Sequence, residues 1–167
     1  MDEKRRKFSR EYLKARKKFR DYADQDSVLQ GNDNIIGRIG EAIAHSFLEQ
    51  QGRIPEVILN QTEPGYDIIC HDNGDKVSVK LITFENERGS TSKIKKPFDI
   101  FIGIELSNDF NVLRLAYITR KQFEFGLLKM SRVPEPNFSR NMFNINNLFP
   151  RFGKVFCQDE LKDMKLL

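Results

Sequence analysis

Residues 65–80 read GYDIICHDNGDKVSVK, two short apolar runs joined by Asn73-Gly74. That dipeptide is a strong hairpin signal, because a type I′ turn needs positive φ at both central positions and Asn and Gly tolerate it best. A two-residue loop there pairs Asp72 with Asp75, Ile69 with Ser78, and Asp67 with Lys80. Residues opposite one another share a face, as do residues two apart on one strand. Asp67, Ile69, Ser78 and Lys80 are therefore predicted on one face, and Ile68, Cys70, Val77, Val79 and Leu81 on the other. The second set is apolar and reads as core-facing. Asp67 and Lys80 then form either a cross-strand ion pair on a half-exposed sheet or the centre of a chemical site.

Upstream, Asn34 to Gln51 reads as a helix with Ile36, Ile39, Ile43 and Phe47 on its buried face and Gly52 as its stop. Gly37 and Gly40 weaken that helix, and close packing against another backbone would account for them. Glu41 and His45 share a face beside the apolar stripe. Glu56 to Asn60 reads as a strand leading into the hairpin. Downstream, Phe84 to Pro97 is rich in Gly, Ser and Lys and reads as a loop. Asp99 to Leu106 (DIFIGIEL) is nearly continuous in apolar residues, as befits a central strand buried on both faces. Val112 to Ile118 is a further strand, and Thr119 with Gln122 has the spacing of a capping box for a helix through Leu127. From Met130 the pattern loosens into Pro, Asn and Phe, with a last short helix at Asp159 to Leu166.

A chain of 167 residues with 39% hydrophobic and 31% charged residues suits one globular domain. No run has the length of a membrane span and no apolar signal region follows the charged amino terminus, so a cytoplasmic location is expected. Cys70 and Cys157 read as buried thiols, and the scarcity of Cys and His argues against a zinc site. The net charge of +4 is concentrated: residues 1–26 hold ten Lys or Arg against six acids, and the remainder holds eighteen of each. Residues 1–26 are read as a basic helical arm and 27–167 as a single domain. The arm places Phe8, Tyr12 or Leu13, Ala15 and Phe19 near helical spacing. Either this stripe docks on the body, or basic residues such as Lys17 and Lys18 contact phosphates. Arg88, Lys93, Lys95 and Lys96 in the Lys-rich loop are further candidates for phosphate contacts, with a solvated loop as the alternative.

Gly65-Tyr66-Asp67, the hairpin, Ser78-Val79-Lys80 and the preceding Gly40-Glu41-Ala42 together resemble the active-site region of the PD-(D/E)xK nuclease superfamily. The resemblance covers roughly residues 35 to 125. It implies a restriction endonuclease-like α/β fold with a central mixed sheet of four or five strands flanked by helices. It also implies an Mg²⁺-dependent endonuclease acting on DNA, with Mn²⁺ as a substitute and a homodimer as a way for two sites to address two strands. Asp67 would be the principal metal ligand and the backbone carbonyl of Val79 another. Lys80 would orient the attacking water or stabilise the pentavalent phosphate. Ser78 stands where the superfamily usually has an acid. Glu41 is the first candidate to replace it, followed by Glu85 and Glu87, so the catalytic set is Asp67, Lys80, Glu41 and Ser78. If none of these acids reaches the metal, the same fold would be a nucleic-acid-binding or assembly module without cleavage. A protein-interaction domain with a basic arm is the third reading. No phosphate-binding G-x-x-x-x-G-K-[ST] loop and no nucleophile motif is present.

Overall fold

The computed structural model describes residues 2–23, 35–58, 66–95 and 97–167. The expected connection at 24–34, the helix start at Asn34, the strand end and turn at 59–65, and Lys96 lie outside them. The chain begins with two helices, α1 (Glu3–Ala23) and α2 (Ile35–Gln50), followed by strands β1 (Pro55–Val57), β2 (Ile68–Cys70) and β3 (Asp75–Ile82). Strand β4 (Ser90–Lys93) precedes the long pair β5 (Ile100–Leu106) and β6 (Val112–Thr119), and then comes α3 (Arg120–Lys129). The last third adds β7 (Asn137–Ser139), α4 (Leu148–Phe152), β8 (Lys154–Cys157) and the short α5 (Gln158–Leu161).

The fold is α/β with a mixed six-stranded sheet in the order β1-β2-β3-β5-β6-β8. Strands β3 and β5 run parallel, and every other neighbouring pair is antiparallel. The sheet exceeds the expected four or five strands because β8, from the tail that lacked periodicity, pairs with β6. A four-residue edge strand with a single buried residue carries too little alternation to be recognised, and its Cys157 is exposed, not buried as expected, because it ends that edge strand, while Cys70 is buried in β2. Strand β4, within what read as a loop, pairs with β7, from the tail without periodicity, as a separate ribbon. Serine, threonine and lysine give β4 no apolar signal, so its pairing partner defines it.

Each sheet face has its own core. Ile68, Cys70, Val77, Val79, Ile100, Ile102 and Ile104 pack with Leu13 of α1 and with Ile39, Ile43, Phe47 and Leu48 of α2. On the opposite face Ile82, Phe101, Ala116 and Ile118 pack with Phe123 and Leu127 of α3 and with Phe138, Phe143 and Phe149. Strand β5 contributes to both cores, which is why every one of its residues is buried and its sequence is an almost unbroken apolar run. The capping box at Thr119 and Gln122 starts α3 as expected.

Two glycines fix close approaches. A β-carbon on Gly40 of α2 would stand 3.0 Å from Cβ of Leu81, so the helix lies directly on β3. A β-carbon on Gly103 would stand 2.6 Å from the ring of Phe138. That ring is fully buried and is hemmed in by Phe101, Phe143 and Phe149, with centroids 5.6, 5.9 and 6.0 Å away respectively. It has nowhere to retreat. Gly103→Ala is therefore expected to destabilise the protein by about 1–3 kcal/mol, the usual range for overpacking, measured as a fall in the urea midpoint. An unchanged midpoint would show that the aromatic cluster yields.

Candidate active site

Arg53, between α2 and β1, determines how the central hairpin closes. Its guanidinium donates to Asp72 at 2.6 Å and Asp75 at 2.9 Å and also reaches Asn73, while Asp72 accepts from the Ile54 amide at 3.0 Å. The two carboxylates hold this guanidinium's pKa above its ordinary value, although burial acts first and in the opposite direction. Clamped in this way, the chain does not make the expected two-residue loop. His71, Asp72, Asn73 and Gly74 form the connection, Gly74 takes φ +78°, and its amide donates to the Cys70 carbonyl at 2.7 Å.

The register is consequently Cys70 with Asp75, Ile69 with Lys76 and Ile68 with Val77, a slip of two from the sequence expectation. A slip of two preserves parity. Ile68, Cys70, Val77 and Val79 do face the helices, with Leu81 packed at their margin. Asp67, just before β2, comes opposite Ser78 instead of Lys80. Lys80 lies two residues further along the same face of β3.

The site is built where β2 begins and β3 continues past it. The Asp67 amide donates to the Val77 carbonyl at 2.8 Å, and the Asp67 carbonyl accepts from Ile58 at 3.0 Å. The Asp67 carboxylate also reaches β3: its Oδ2 accepts from the Val79 amide at 2.6 Å and from the Ser78 hydroxyl at 3.5 Å. Within a strand, the N–H and C=O of one residue point to the same neighbour. Since the Val79 amide points at Asp67, its carbonyl projects along the same edge. Asp67, Ser78, Val79 and Lys80 are thus brought together. Phe138 lies over Gly103, the β5 partner of Lys80, and walls this face.

Burial raises the pKa of Asp67 above its ordinary 3.8, and the Val79 amide, the charge of Lys80 and the Ser78 hydroxyl offset this only in part. The sign follows from linkage. Between 3.8 and the raised value the folded state holds the proton more tightly than the unfolded state, so Asp67 lowers stability as pH rises through that window. In EDTA, Asp67→Asn is expected to lose that component, since its amide oxygen still accepts from Val79 without carrying charge. Chemical denaturation at several pH values measures it. Parallel stability curves for the two proteins would contradict the assignment.

The remaining candidates are placed differently. Glu41 is half-buried on α2, the residue after Gly40, and that helix packs on Leu81 of β3 from the sheet face opposite Lys80. Glu85 is turned to α1, where Arg16 donates to both of its oxygens at 3.2 Å. Glu87 is exposed on the same turn. Among the described residues, no group of three or more His, Cys, Asp and Glu is arranged to hold a metal ion. Arg88, Lys93 and Lys95 are exposed on and around β4, and Lys18 is exposed on α1. Lys17 pairs with Asp21 at 2.8 Å and lies 5.7 Å from the Phe84 ring centroid.

An interaction absent from the sequence reading supports the turn after β3. Glu105, 5% exposed on β5, accepts from Arg114 at 2.7 Å and lies 3.3 Å from Arg140, which also donates to the carbonyls of Thr83 and Asn86. Nothing local in DIFIGIEL marks that acid, because its partners lie nine and thirty-five residues downstream. No protein-family model matches the chain, and no curated protein matches it.

Proposed function

We propose that the protein is a metal-dependent endonuclease with a restriction endonuclease-like fold, acting on phosphodiester bonds in DNA. One observation carries this reading: the Asp67 carboxylate meets the Val79 amide at 2.6 Å, on the side of β3 to which strand geometry also directs the Val79 carbonyl, with Lys80 on the Asp67 face two residues beyond Ser78. Mg²⁺ is commonly held by one or two carboxylates, with waters and substrate phosphate completing its shell, and this pair of oxygens fits the lower end of that requirement. Mn²⁺ has the same ligand preference. Such an ion supplies positive charge at the phosphorus and activates water. Asp67 would hold and orient the ion, Lys80 would place a compact positive charge against the phosphate oxygens, and Ser78, whose hydroxyl donates to Asp67 at 3.5 Å, would steady that carboxylate without adding charge. Burial of Asp67 suits this role, since metal binding compensates the cost of the buried charge.

The second reading, a nucleic-acid-binding or assembly module without cleavage, is favoured by the lack of a three-acid group among the described residues. Plasmid, linear and single-stranded substrates incubated with Mg²⁺, Mn²⁺ or EDTA separate the two. Cleavage that requires metal supports the nuclease. Binding without cleavage under every condition supports the module.

A further inference from the structure

Helix α1 has two apolar faces, and the body covers only one. Leu13 is buried in the core beside Tyr12, Arg10 donates to Asn111 at 3.3 Å, and Arg16 holds Glu85. These contacts fix the helix against the turns that follow β3 and β5. The outer face carries Phe8, Ala15 and Phe19, with the two rings 57% and 55% exposed. They stand on one side of the helix, about 16 Å apart at ~1.5 Å per residue, with the small Ala15 between them. Lys4, Lys7, Lys14 and Lys18 are exposed around them.

Charge decides what can cover this face. The helix holds ten Lys and Arg against three acids, a net charge of +7. A second copy of the same helix would bring +7 against +7, whereas a polyanion is attracted. An interfacial membrane helix presents one broad apolar face to lipid, whereas the outer face here is a narrow line of two rings and one alanine set among lysines. Exposed rings spaced among lysines are the usual equipment for single-stranded nucleic acid, whose unpaired bases stack on aromatic side chains while the phosphates follow the positive charge. Duplex DNA hides its base faces and could use only the lysines.

We propose that the outer face of α1 binds single-stranded nucleic acid, or the unpaired strand of a larger substrate, by stacking bases on Phe8 and Phe19. This rests on the nuclease reading for its purpose, since it specifies the strand presented to Asp67 and Lys80. Anchoring fits that purpose: Phe84 and Glu85, which touch Lys17 and Arg16, follow Lys80 by four and five residues.

The chain contains no tryptophan, so Phe8→Trp and Phe19→Trp each install a single fluorophore in the full-length protein. Both positions are exposed, and circular dichroism checks that the fold is retained. In EDTA, a single-stranded oligonucleotide is expected to quench either tryptophan strongly, and a duplex of the same length only weakly. Phe8→Ala and Phe19→Ala should each weaken single-strand binding by roughly ten-fold, within the range of one lost base stack, and leave duplex binding unchanged. Equal quenching by duplex, unchanged single-strand affinity in both alanine variants, a blue shift with protein concentration alone, or a blue shift on anionic vesicles without quenching by oligonucleotide would each overturn the proposal. Because metal is withheld, the result is independent of cleavage. Stacking by a protein that fails to cut in Mg²⁺ would uphold the α1 surface while ending the nuclease reading.

Discussion

Asp67→Ala and Lys80→Ala are each expected to lower metal-dependent cleavage by at least ~10²-fold, the usual cost of removing a group that stabilises charge in the transition state, while binding to DNA in EDTA stays close to that of the unaltered protein. The two variants should differ in stability. Removing Asp67 takes away a part-buried carboxylate whose pKa burial has raised but also leaves the Val79 amide without its acceptor, so the stability of that variant should depend less on pH than that of the unaltered protein. Lys80 is half-exposed, and its removal should change stability little. Mg²⁺ should raise the melting temperature of the unaltered protein and not that of Asp67→Ala, because a ligand stabilises only the state that binds it. Cleavage at an unaltered rate by either purified variant would end the active-site assignment. A melting temperature that responds equally to Mg²⁺ in both proteins would place the ion elsewhere.

Glu105→Ala is expected to destabilise the protein by about 3 kcal/mol, the lower end of the cost of leaving buried opposite charges unpaired. The lower end applies because Arg114 and Arg140 are 26% and 32% exposed, so water partly replaces the lost carboxylate. Glu105→Gln, which keeps an accepting oxygen, should lose less. Urea unfolding gives both values, with an unchanged slope showing that the two-state transition is preserved. Since Arg140 also holds the carbonyls of Thr83 and Asn86, the alanine variant should cut more slowly than its residual stability explains. An unaltered urea midpoint would mean that the three charges contribute no net stability.

The division of the hairpin into an apolar face and one carrying Asp67, Ser78 and Lys80 was legible because a pleated strand repeats every two residues and five apolar positions agree on one side. Its register was not, since Asn73-Gly74 is a local signal and Arg53 overrides it from about twenty residues upstream. The apolar run at Ile100–Leu106 announced a central strand. The acid within it gave no sign of its role, because only the folded chain brings Arg114 and Arg140 to it. On α1, spacing suggested a single stripe of Phe8, Tyr12 or Leu13, Ala15 and Phe19. Leu13 and Tyr12 instead turn inward and Phe8, Ala15 and Phe19 outward, an orientation that the contacts of Arg10 and Arg16 with distant turns hold in place. The edge strand β8 and the ribbon partner β7 are too short to announce themselves and depend on the strands they join.

The supports of β3 come from late in the chain, and this sets an order of events during synthesis. Phe138 closes over Gly103, and Arg140 ties down Thr83 and Asn86. A nascent chain whose last emerged residue is near 130 already carries Asp67, Val79 and Lys80 but has neither brace. Its parallel β3 and β5 must also wait for a connection of distant segments, the slow kind of pairing. The stretch from Asp67 to Lys80 is therefore steadied only after residues 138–140 have emerged, so the candidate site gains its rigidity well after its own residues have been made.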